Sequence, residues 1–596
     1  MTSYKIKFKL MIVLTISLFP YILIAQHTGP SIAFLSDIHL QDVYGDFESK
    51  NFNGIYNLGS DKYATIRSMR SQLNSTRLFN ENYFAFLQAL ENIRKEGIRI
   101  VVLPGDYTDD GQPMNVIALE KILQRYSQDY GMRFFITTGN HDPVSPFGSI
   151  GMKSDFLSEE GKEIGVIGDS TKVSNLYPVY SSQINHWGYS DILSSLHEYG
   201  FFPQEEDLFW SHPFEELDYK LYNYKTSLKN STLKNRSYKD PNSGHLLPDA
   251  SYVVEPTEGL WLLAIDGNVF NHPESNGSYD STGWKGSGNG FNVAIRSKSH
   301  QLEWIEKVSK EAEKLGKTLI SFSHYPLADF NDGSSEAMKS LFGENKFQLS
   351  RVPLPETSQA YAEAGIKIHF AGHMHLNDTE LFTSGDSLSL LNIQVPSLAA
   401  FPAAYKTLEI LPSENVLIQT KSINKVNHFD EFFDLYQSEH KYLSTQNNST
   451  IWNRDILLSS DYSDYTLFHL KELIRLRFIP SDWPEDLGIN LQNSSLSELI
   501  SSLKITKTSS SKYFHEKGKV LEDFYLMKNG SDLGMELIPS ERLKFYQNFT
   551  IPESNSFHEN DQNLIAFFHI LQKMSLDLPS KNFTIDLRTL EIVRKN

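Results

Sequence analysis

The chain has 596 residues, more than a single hydrophobic core usually holds, so we expect two domains. Hydrophobic residues make up 40% of the sequence and aromatic residues 12%, which is enough to fill two cores. The formal net charge of -18 argues against nonspecific binding to nucleic acid or to an anionic membrane. The chain has no cysteine, so it forms no disulfide bond and offers no thiolate to a metal ion.

The first 25 residues are predicted to be a secretory signal peptide. A lysine-rich start precedes an apolar run from Leu10 to Ile24, and Ala25 followed by Gln26 offers a cleavage point. An uncleaved membrane anchor is the alternative, because Leu23 is larger than the residue usual at its position. No other run is long and apolar enough to span a bilayer, so we expect an exported protein that is periplasmic, at the cell surface or secreted.

Five short apolar runs, each of the length of a β-strand, end in Asp, Asn or His. The runs are SIAFL (31–35) before Asp37 and His39, IRIVVL (98–103) before Asp106, RFFITT (133–138) before Asn140 and His141, KTLISF (317–322) before His324, and IKIHF (366–370) before His373 and His375. Ligands of open α/β sheets bind beyond the carboxyl ends of the strands. We therefore expect these polar side chains to meet at one site.

Seven of these side chains have the chemistry of a metal site. They are Asp37, His39, Asp106, Asn140, His324, His373 and His375. Carboxylate, amide and imidazole groups favour manganese, iron or zinc. Seven ligands are too many for one tetrahedral ion but enough for two ions that share a carboxylate, an arrangement that binds the attacking and leaving oxygens of a phosphoryl transfer. Taken alone, the Asp37–His39 pair or His324 would more often be structural, so the prediction depends on their joint occurrence.

The order D-x-H, G-D, G-N-H-D, H and G-H-x-H resembles the calcineurin-like metallophosphoesterase family over about residues 31–422. The resemblance implies an α/β fold, a four-layer α/β/β/α sandwich, with two divalent or trivalent metal ions. Carried over by position, it implies that Asp37, His39 and His375 hold one ion, that Asn140, His324 and His373 hold the other, and that Asp106 bridges them. It also implies that His141 binds no metal and faces the substrate, where it can protonate the leaving oxygen.

Within the family, GDYTDDG (105–111) followed by GNHD is similar to the cyclic-nucleotide phosphodiesterase branch. Purple acid phosphatases have a Tyr where this chain has Asp109, so their iron-tyrosinate chemistry is not expected. We expect hydrolysis of a small phosphodiester by in-line attack of a metal-bridging hydroxide, with no nucleic-acid polymer as partner. A phosphomonoesterase of the same fold and a non-catalytic surface-binding protein that keeps the metal site are the alternatives.

The sequence predicts a catalytic domain over residues 26–425 and a mostly helical C-terminal domain over residues 426–596. An aromatic-rich insert at about 143–258 interrupts the catalytic domain and is too long for a plain loop. Its rings either form a small core or line a pocket for a nucleobase or an apolar leaving group. The C-terminal domain has helical periodicity but no motif, so it either packs on the catalytic domain or forms a cap or a partner surface.

Overall fold

The computed structural model describes residues 29–594, except residues 242, 273–282, 287–289, 386–387, 413, 447–450, 506–510 and 552–558. The predicted signal peptide therefore lies outside the described residues. Among the residues that are described, none of the helices has the length and apolar character needed to cross a bilayer.

Two seven-stranded β-sheets form the centre of the protein. In spatial order, the first sheet contains Ile592–Arg594, Asn582–Asp586, Asn415–Ser422, Ala404–Leu411, Ser31–Phe34, Ile100–Leu103 and Arg133–Ile136. The second contains Asp378–Ser384, Leu388–Gln394, Ile368–Ala371, Thr318–Ser323, Leu260–Ile265, Tyr252–Thr257 and Phe209–Ser211. The last three strands of the first sheet are parallel, as are four neighbouring strands of the second. All five predicted ligand-bearing runs are among these parallel strands.

The two sheets pack face to face, with helices on their outer sides. The rings of Phe34 and Phe370, one from each sheet, stack with centroids 3.7 Å apart. Trp304 and Ile305 of an outer helix pack with Trp261 on the far face of the second sheet. The strand Ile100–Leu103 is buried along its whole length, as its continuous aliphatic sequence predicts for a strand covered on both faces. These layers confirm the predicted α/β fold class.

Helices surround the two sheets, and in the longest of those before residue 426 the sequence signals at both ends are clear. The α-helices before residue 426 are Met69–Gln72, Asn82–Lys95, Pro113–Tyr130, Tyr189–Ser195, Tyr224–Asn230, Phe291–Ser297, Ser299–Leu315, Ser335–Phe342 and Pro355–Glu363. Pro113 occupies the first turn of its helix, where its missing N–H costs nothing, and the same helix ends at Gly131 in the left-handed region (φ 65°). Local sequence therefore sets the ends of this helix.

The aromatic-rich insert contributes strands and buried side chains to the sandwich. It forms a three-stranded sheet of Met152–Leu157, Glu163–Ile167 and Val179–Tyr180 and a hairpin of Ser237–Lys239 and Leu246–Pro248. It also supplies the last two strands at one side of the second sheet, of which Phe209–Ser211 is the edge. Its rings at Tyr189, Phe201, Trp210 and Tyr252 are buried in the main hydrophobic core. For these residues the structure supports the core interpretation over the pocket interpretation.

The C-terminal part of the chain is helical until its last two strands. Its α-helices are Phe433–Thr445, Tyr462–Leu473, Ile479–Asp482, Glu485–Asn493, Leu496–Ser502, Lys519–Gly530, Asp532–Met535, Ser540–Gln547 and Glu559–Met574. Several share a hydrophobic cluster with Met338, Met374 and Phe401 of the preceding part. The strands Asn582–Asp586 and Ile592–Arg594 then return to extend the first sheet. The boundary at residues 425 and 426 stays a prediction, because the chain crosses back after the helices.

Candidate metal centre

The polar residues that follow the parallel strands converge at one end of the sandwich. One oxygen or nitrogen of each of Asp37, His39 and His375 lies within 4.8 Å of the other two, and the same is true of Asp106, His324 and His373. Asn140 joins the second group, since its Oδ1 is 3.0 Å from His324 Nε2. The structure thus brings together all seven side chains that the sequence analysis predicted as ligands.

Asp106 lies between the two groups. Its Oδ2 is 3.2 Å from His324 Nε2 in one group and 3.9 Å from His39 Nε2 in the other. Its Oδ1 accepts a hydrogen bond from the His141 backbone N–H at 2.8 Å, which fixes the plane of the carboxylate. This is the position that a bridging carboxylate would need.

Asp37 is fixed in the same way in the first group. It is fully buried, and its carboxylate accepts hydrogen bonds from the Ser36 hydroxyl at 2.6 Å and from the His373 N–H at 2.8 Å. Its Oδ1 is 3.3 Å from His375 Nε2. The loop that carries one group therefore donates a backbone hydrogen bond to the other, and the two groups form one unit.

The backbone of this site is held in an unusual conformation. Five of the seven predicted ligands have positive φ: Asp37 (50°), His39 (45°), Asp106 (47°), His373 (71°) and His375 (57°). Each such residue other than glycine costs on the order of 1–3 kcal/mol and persists only where the surrounding structure enforces it. Non-glycine residues of this kind cluster at functional sites, and here they coincide with the predicted ligands.

Two glycines leave room for the buried carboxylates. A side chain at Gly139 would overlap the Asp106 carboxylate, and one at Gly372 would overlap Ser36 and the Asp37 carboxylate. Both glycines precede predicted ligands in the motifs GNH and GHMH. The sequence uses glycine here because the ligand loops approach one another too closely for any other residue.

Backbone carbonyls orient two of the imidazole rings. His324 Nδ1 donates to Pro104 O at 3.1 Å, and His375 Nδ1 donates to Thr76 O at 3.3 Å. With the proton on Nδ1, each ring presents the lone pair of Nε2 to its group. Metal-ligating histidines are usually held by this kind of contact.

The donor set fits a pair of cations. His39 Nε2 lies 3.2 Å from His375 Nε2, and His324 Nε2 lies 2.9 Å from His373 Nδ1. Burial, and next the nearby Arg77, hold the pKa of His39 well below its usual value, so this imidazole is neutral. Burial would lower the pKa of His324 as well, but the Asp106 carboxylate outweighs burial and raises that pKa to about 9. Facing nitrogens and carboxylates of this kind need a positive charge between them, which a metal ion supplies.

His141 stands beside Asp106 with part of its side chain exposed. Its Nδ1 contacts the Asp110 carboxylate, and its Nε2 is 3.9 Å from Asp106 Oδ2. Asp110 also pairs with Lys153. Burial would raise the pKa of Asp110, but Lys153 and next His141 outweigh it and hold the pKa well below its usual value. Asp110 is therefore ionised, and it orients the His141 ring with Nε2 towards the site.

Two arginines that sequence reasoning missed flank the centre. Arg77 Nη1 is 2.9 Å from His39 Nδ1 and 2.9 Å from His141 Nε2, while Arg351 Nη1 is 2.7 Å from His373 Nε2. No motif marks either arginine, because both lie in connecting segments and approach the site only in the folded chain. Asp110 was also missed, although it lies within the GDYTDDG motif that identified Asp106.

A cavity of about 260 Å³ opens beside His375. Its walls come from both parts of the chain: Phe347, Met374, Phe401, Phe478 and Tyr525 supply apolar surface, and Arg477 and Lys528 supply positive charge. The helical C-terminal region therefore forms part of the wall next to the metal centre.

One comparison with known proteins, the family model, agrees with the motifs. Residues 30–227 match the model of the calcineurin-like phosphoesterase family. A dimetal phosphatase from Danio rerio is 11% identical, with a TM-score of 0.28, over 66% of this chain and 96% of that protein. A 5'-nucleotidase from Candida albicans is also 11% identical, with a TM-score of 0.22, over 63% of this chain and 46% of that protein. Scores this low carry no inference about substrate, and a search of curated protein sequences found no match.

The family match covers Asp37, His39, Asp106, Asn140 and His141 and ends before His324. The strands and loops after it supply the remaining three of the seven predicted ligands. The motif order and the fold agree with this match, so residues 30–227 are similar to the calcineurin-like phosphoesterase family in both sequence and strand order.

Proposed function

We propose that this protein is an exported phosphoester hydrolase that uses two metal ions to cleave a small phosphodiester by in-line displacement. The observation that carries the proposal is the pair of donor groups that adjoin Asp106. The seven predicted ligands would hold two ions of manganese, iron or zinc, since the donor set has imidazole and carboxylate but no thiolate. When bound, such ions polarise phosphoryl oxygens and lower the pKa of a bound water, which supplies the nucleophile.

His141 supplies the proton for the leaving oxygen. Its Nδ1 is held by Asp110, so Nε2 is the nitrogen that faces the site. In this structure Nε2 accepts from Arg77 Nη1 at 2.9 Å, so Arg77 has to turn to the substrate before Nε2 can carry a proton. The histidine can then donate that proton to a departing alkoxide, which is worth about 10²–10⁴ in rate.

Arg77 and Arg351 are suited to hold the substrate phosphate. A guanidinium group can only donate, so the contact of Arg77 with His39 Nδ1 requires a lone pair on that nitrogen. A neutral His39 that binds an ion through Nε2 carries its proton on Nδ1, and Arg77 must then turn to another acceptor. The same argument applies to Arg351 and His373. Phosphate oxygens beside the ions are the acceptors that arginine binds best.

A phosphomonoesterase is the second candidate, and the two arginines favour it. A monoester carries three terminal oxygens and a charge close to −2, which two guanidinium groups on opposite sides of the centre would neutralise. The diester proposal rests on the similarity of the GDYTDDG and GNHD motifs to those of the cyclic-nucleotide phosphodiesterase branch. In either case, the cavity beside His375 is the place for the leaving group, and its aromatic walls suit an apolar or cyclic group.

Export is proposed from the N-terminal sequence, and the lack of cysteine is consistent with a bacterial periplasm or cell surface. Mass spectrometry of the protein from cells that express the whole chain tests this directly. We expect a mature N-terminus at about residue 26 in the extracytoplasmic fraction. Full-length protein confined to the cytoplasm would contradict export.

Replacing Asp106 by Asn should release metal. The amide keeps the shape of the carboxylate but loses the charge that both donor groups share, so the loss of metal affinity should exceed the roughly 10–100-fold typical of an outer partner. Metal content per chain after dialysis measures this. Asp46→Asn, at an exposed position, is the control and should keep both ions. Retention of two ions at full occupancy in Asp106→Asn would rule out the bridging role.

Replacing His141 by Ala should leave the metal content unchanged and lower kcat by about 10²–10⁴. The loss should be larger for an alkyl leaving group than for p-nitrophenol, because a poor leaving group depends more on protonation. Steady-state rates on alkyl and p-nitrophenyl phosphoesters measure the difference, with the exposed His197→Ala as control. Equal losses on both leaving groups would show that His141 is not the proton donor.

The choice between diester and monoester is tested with two related substrates. We expect a higher kcat/KM for bis(p-nitrophenyl) phosphate than for p-nitrophenyl phosphate when the mature chain is loaded with manganese, zinc or iron and its metal content is measured alongside. The reverse preference would make the protein a phosphatase. No turnover of either substrate by a chain that holds two ions would favour the surface-binding alternative.

A further inference from the structure

A second group of acidic side chains lies outside the catalytic site. Asp332, Asp378 and Asp577 each present a carboxylate oxygen within 4.8 Å of the other two. Asp332 is in the loop that follows the strand leading to His324, and Asp378 begins the strand that follows His375. Asp577 comes just after the helix Glu559–Met574. The cluster therefore brings together two segments next to the metal centre, which carry Asp332 and Asp378, and one segment of the C-terminal part, which carries Asp577.

Two carboxylate oxygens of the cluster have no hydrogen-bond donor in the part of the chain that the structure describes. Asp378 is only 4% exposed, and its Oδ2 is buried without a hydrogen-bond partner among the described residues. Asp332 Oδ1 is also buried, and it too has no hydrogen-bond partner among the described residues. The Asp577 carboxylate, by contrast, accepts hydrogen bonds from the Ser531 hydroxyl at 3.1 Å and from the Leu578 N–H. A buried carboxylate oxygen that lacks a donor is costly, so it points to a ligand.

The neighbouring charges do not balance the cluster. Asp329 and Glu380 are two further acidic groups on the same side, and burial, followed by the Asp329 charge, raises the pKa of Glu380 to about 8. Two lysines lie nearby: the half-buried Lys528 donates to Asn331 Oδ1 at 3.2 Å, and the buried Lys406 donates to Asn377 Oδ1 at 2.7 Å and to Ser580 O at 2.6 Å. Burial, and next the charges of Asp577 and its neighbours, raise the pKa of Asp378 well above its usual value. Three carboxylates this close cannot all stay ionised unless a cation sits between them.

We propose that Asp332, Asp378 and Asp577 form a calcium site that fastens the C-terminal helical region to the catalytic part. All of its donors are oxygen, with no imidazole or thiolate in the cluster, which favours a hard cation over zinc. Ca²⁺ binds oxygen at about 2.3–2.6 Å, so two ligands on opposite sides of one ion lie about 5 Å apart. The separations within the cluster fall inside this limit.

The site has a mechanical consequence for the fold. The loop that carries Asp332 is already held by the C-terminal helices, since Lys573 Nζ donates to Gly333 O at 2.7 Å and Lys528 contacts Asn331. A calcium ion would add a link from this loop and from Asp378 to Asp577. It would therefore stabilise the packing of the helices beside the metal centre without taking part in the chemistry there.

Calcium binding to the full chain tests the proposal independently of catalysis. Chelator-treated protein is titrated with CaCl₂, bound calcium is counted by equilibrium dialysis, and thermal unfolding is followed. The test is run in the Asp106→Asn background, where the catalytic groups are impaired. We expect one saturable calcium per chain and a rise in the unfolding midpoint of about 2–4 °C, because a ligand that binds only the folded state stabilises it.

The matched variant is Asp577→Asn in the same background, which should lose both the bound calcium and the shift of the midpoint. If that variant does not fold, Asp332→Asn, in a partly exposed loop, takes its place with the same expected loss. The proposal is overturned if the parent protein binds no calcium, or if the variant binds as much calcium as its parent. Failure of phosphoester hydrolysis would leave this result unaffected.

Discussion

The burial of two carboxylates, Asp37 and Asp106, among four imidazole rings is the constraint on which the rest of this structure depends. Both side chains are almost completely inaccessible to water, and the donors around them face one another at about hydrogen-bonding distance. Such a cluster is unstable without positive charge, so the fold has to hold it in place. It does so by ending five parallel strands of two sheets at the same end of the sandwich.

Bringing the ligand loops together strains their backbone, and the packing of the two sheets offsets the free-energy cost of that strain. The ligand loops are so close together that five ligand residues in three of the loops adopt the left-handed region, and two glycines have no room for a side chain. Local conformations of this kind persist only where the packing around them is strong. Here they rest on fully buried strands and on ring stacking between the sheets, such as that of Phe34 and Phe370. The rigid sandwich and the strained site are two parts of one arrangement.

The sequence predicts the parts of this site that local order determines. Each predicted ligand follows a short apolar run. The same few residues of sequence therefore predict both the strand and the ligand at its end. Arg77 and Arg351 could not be found in this way, because they lie in connecting segments and meet the histidines only through tertiary folding. The same limit applies to Asn582–Asp586, which pairs with Asn415–Ser422 after more than a hundred intervening residues. Pairing over such a distance leaves no local pattern to read.

The helical region is more closely tied to the catalytic part than its featureless sequence predicts. It lines the cavity beside His375, shares a hydrophobic cluster with Met374 and Phe401, and supplies Asp577 to the second acidic cluster. Met374 and Asp378 are within a few residues of His375. The helices therefore contact the segment that carries this predicted ligand. Because the last strands return to the first sheet, the helices are held at both ends. A change in how they pack would therefore move the segment that carries His375 and the walls of the cavity beside it.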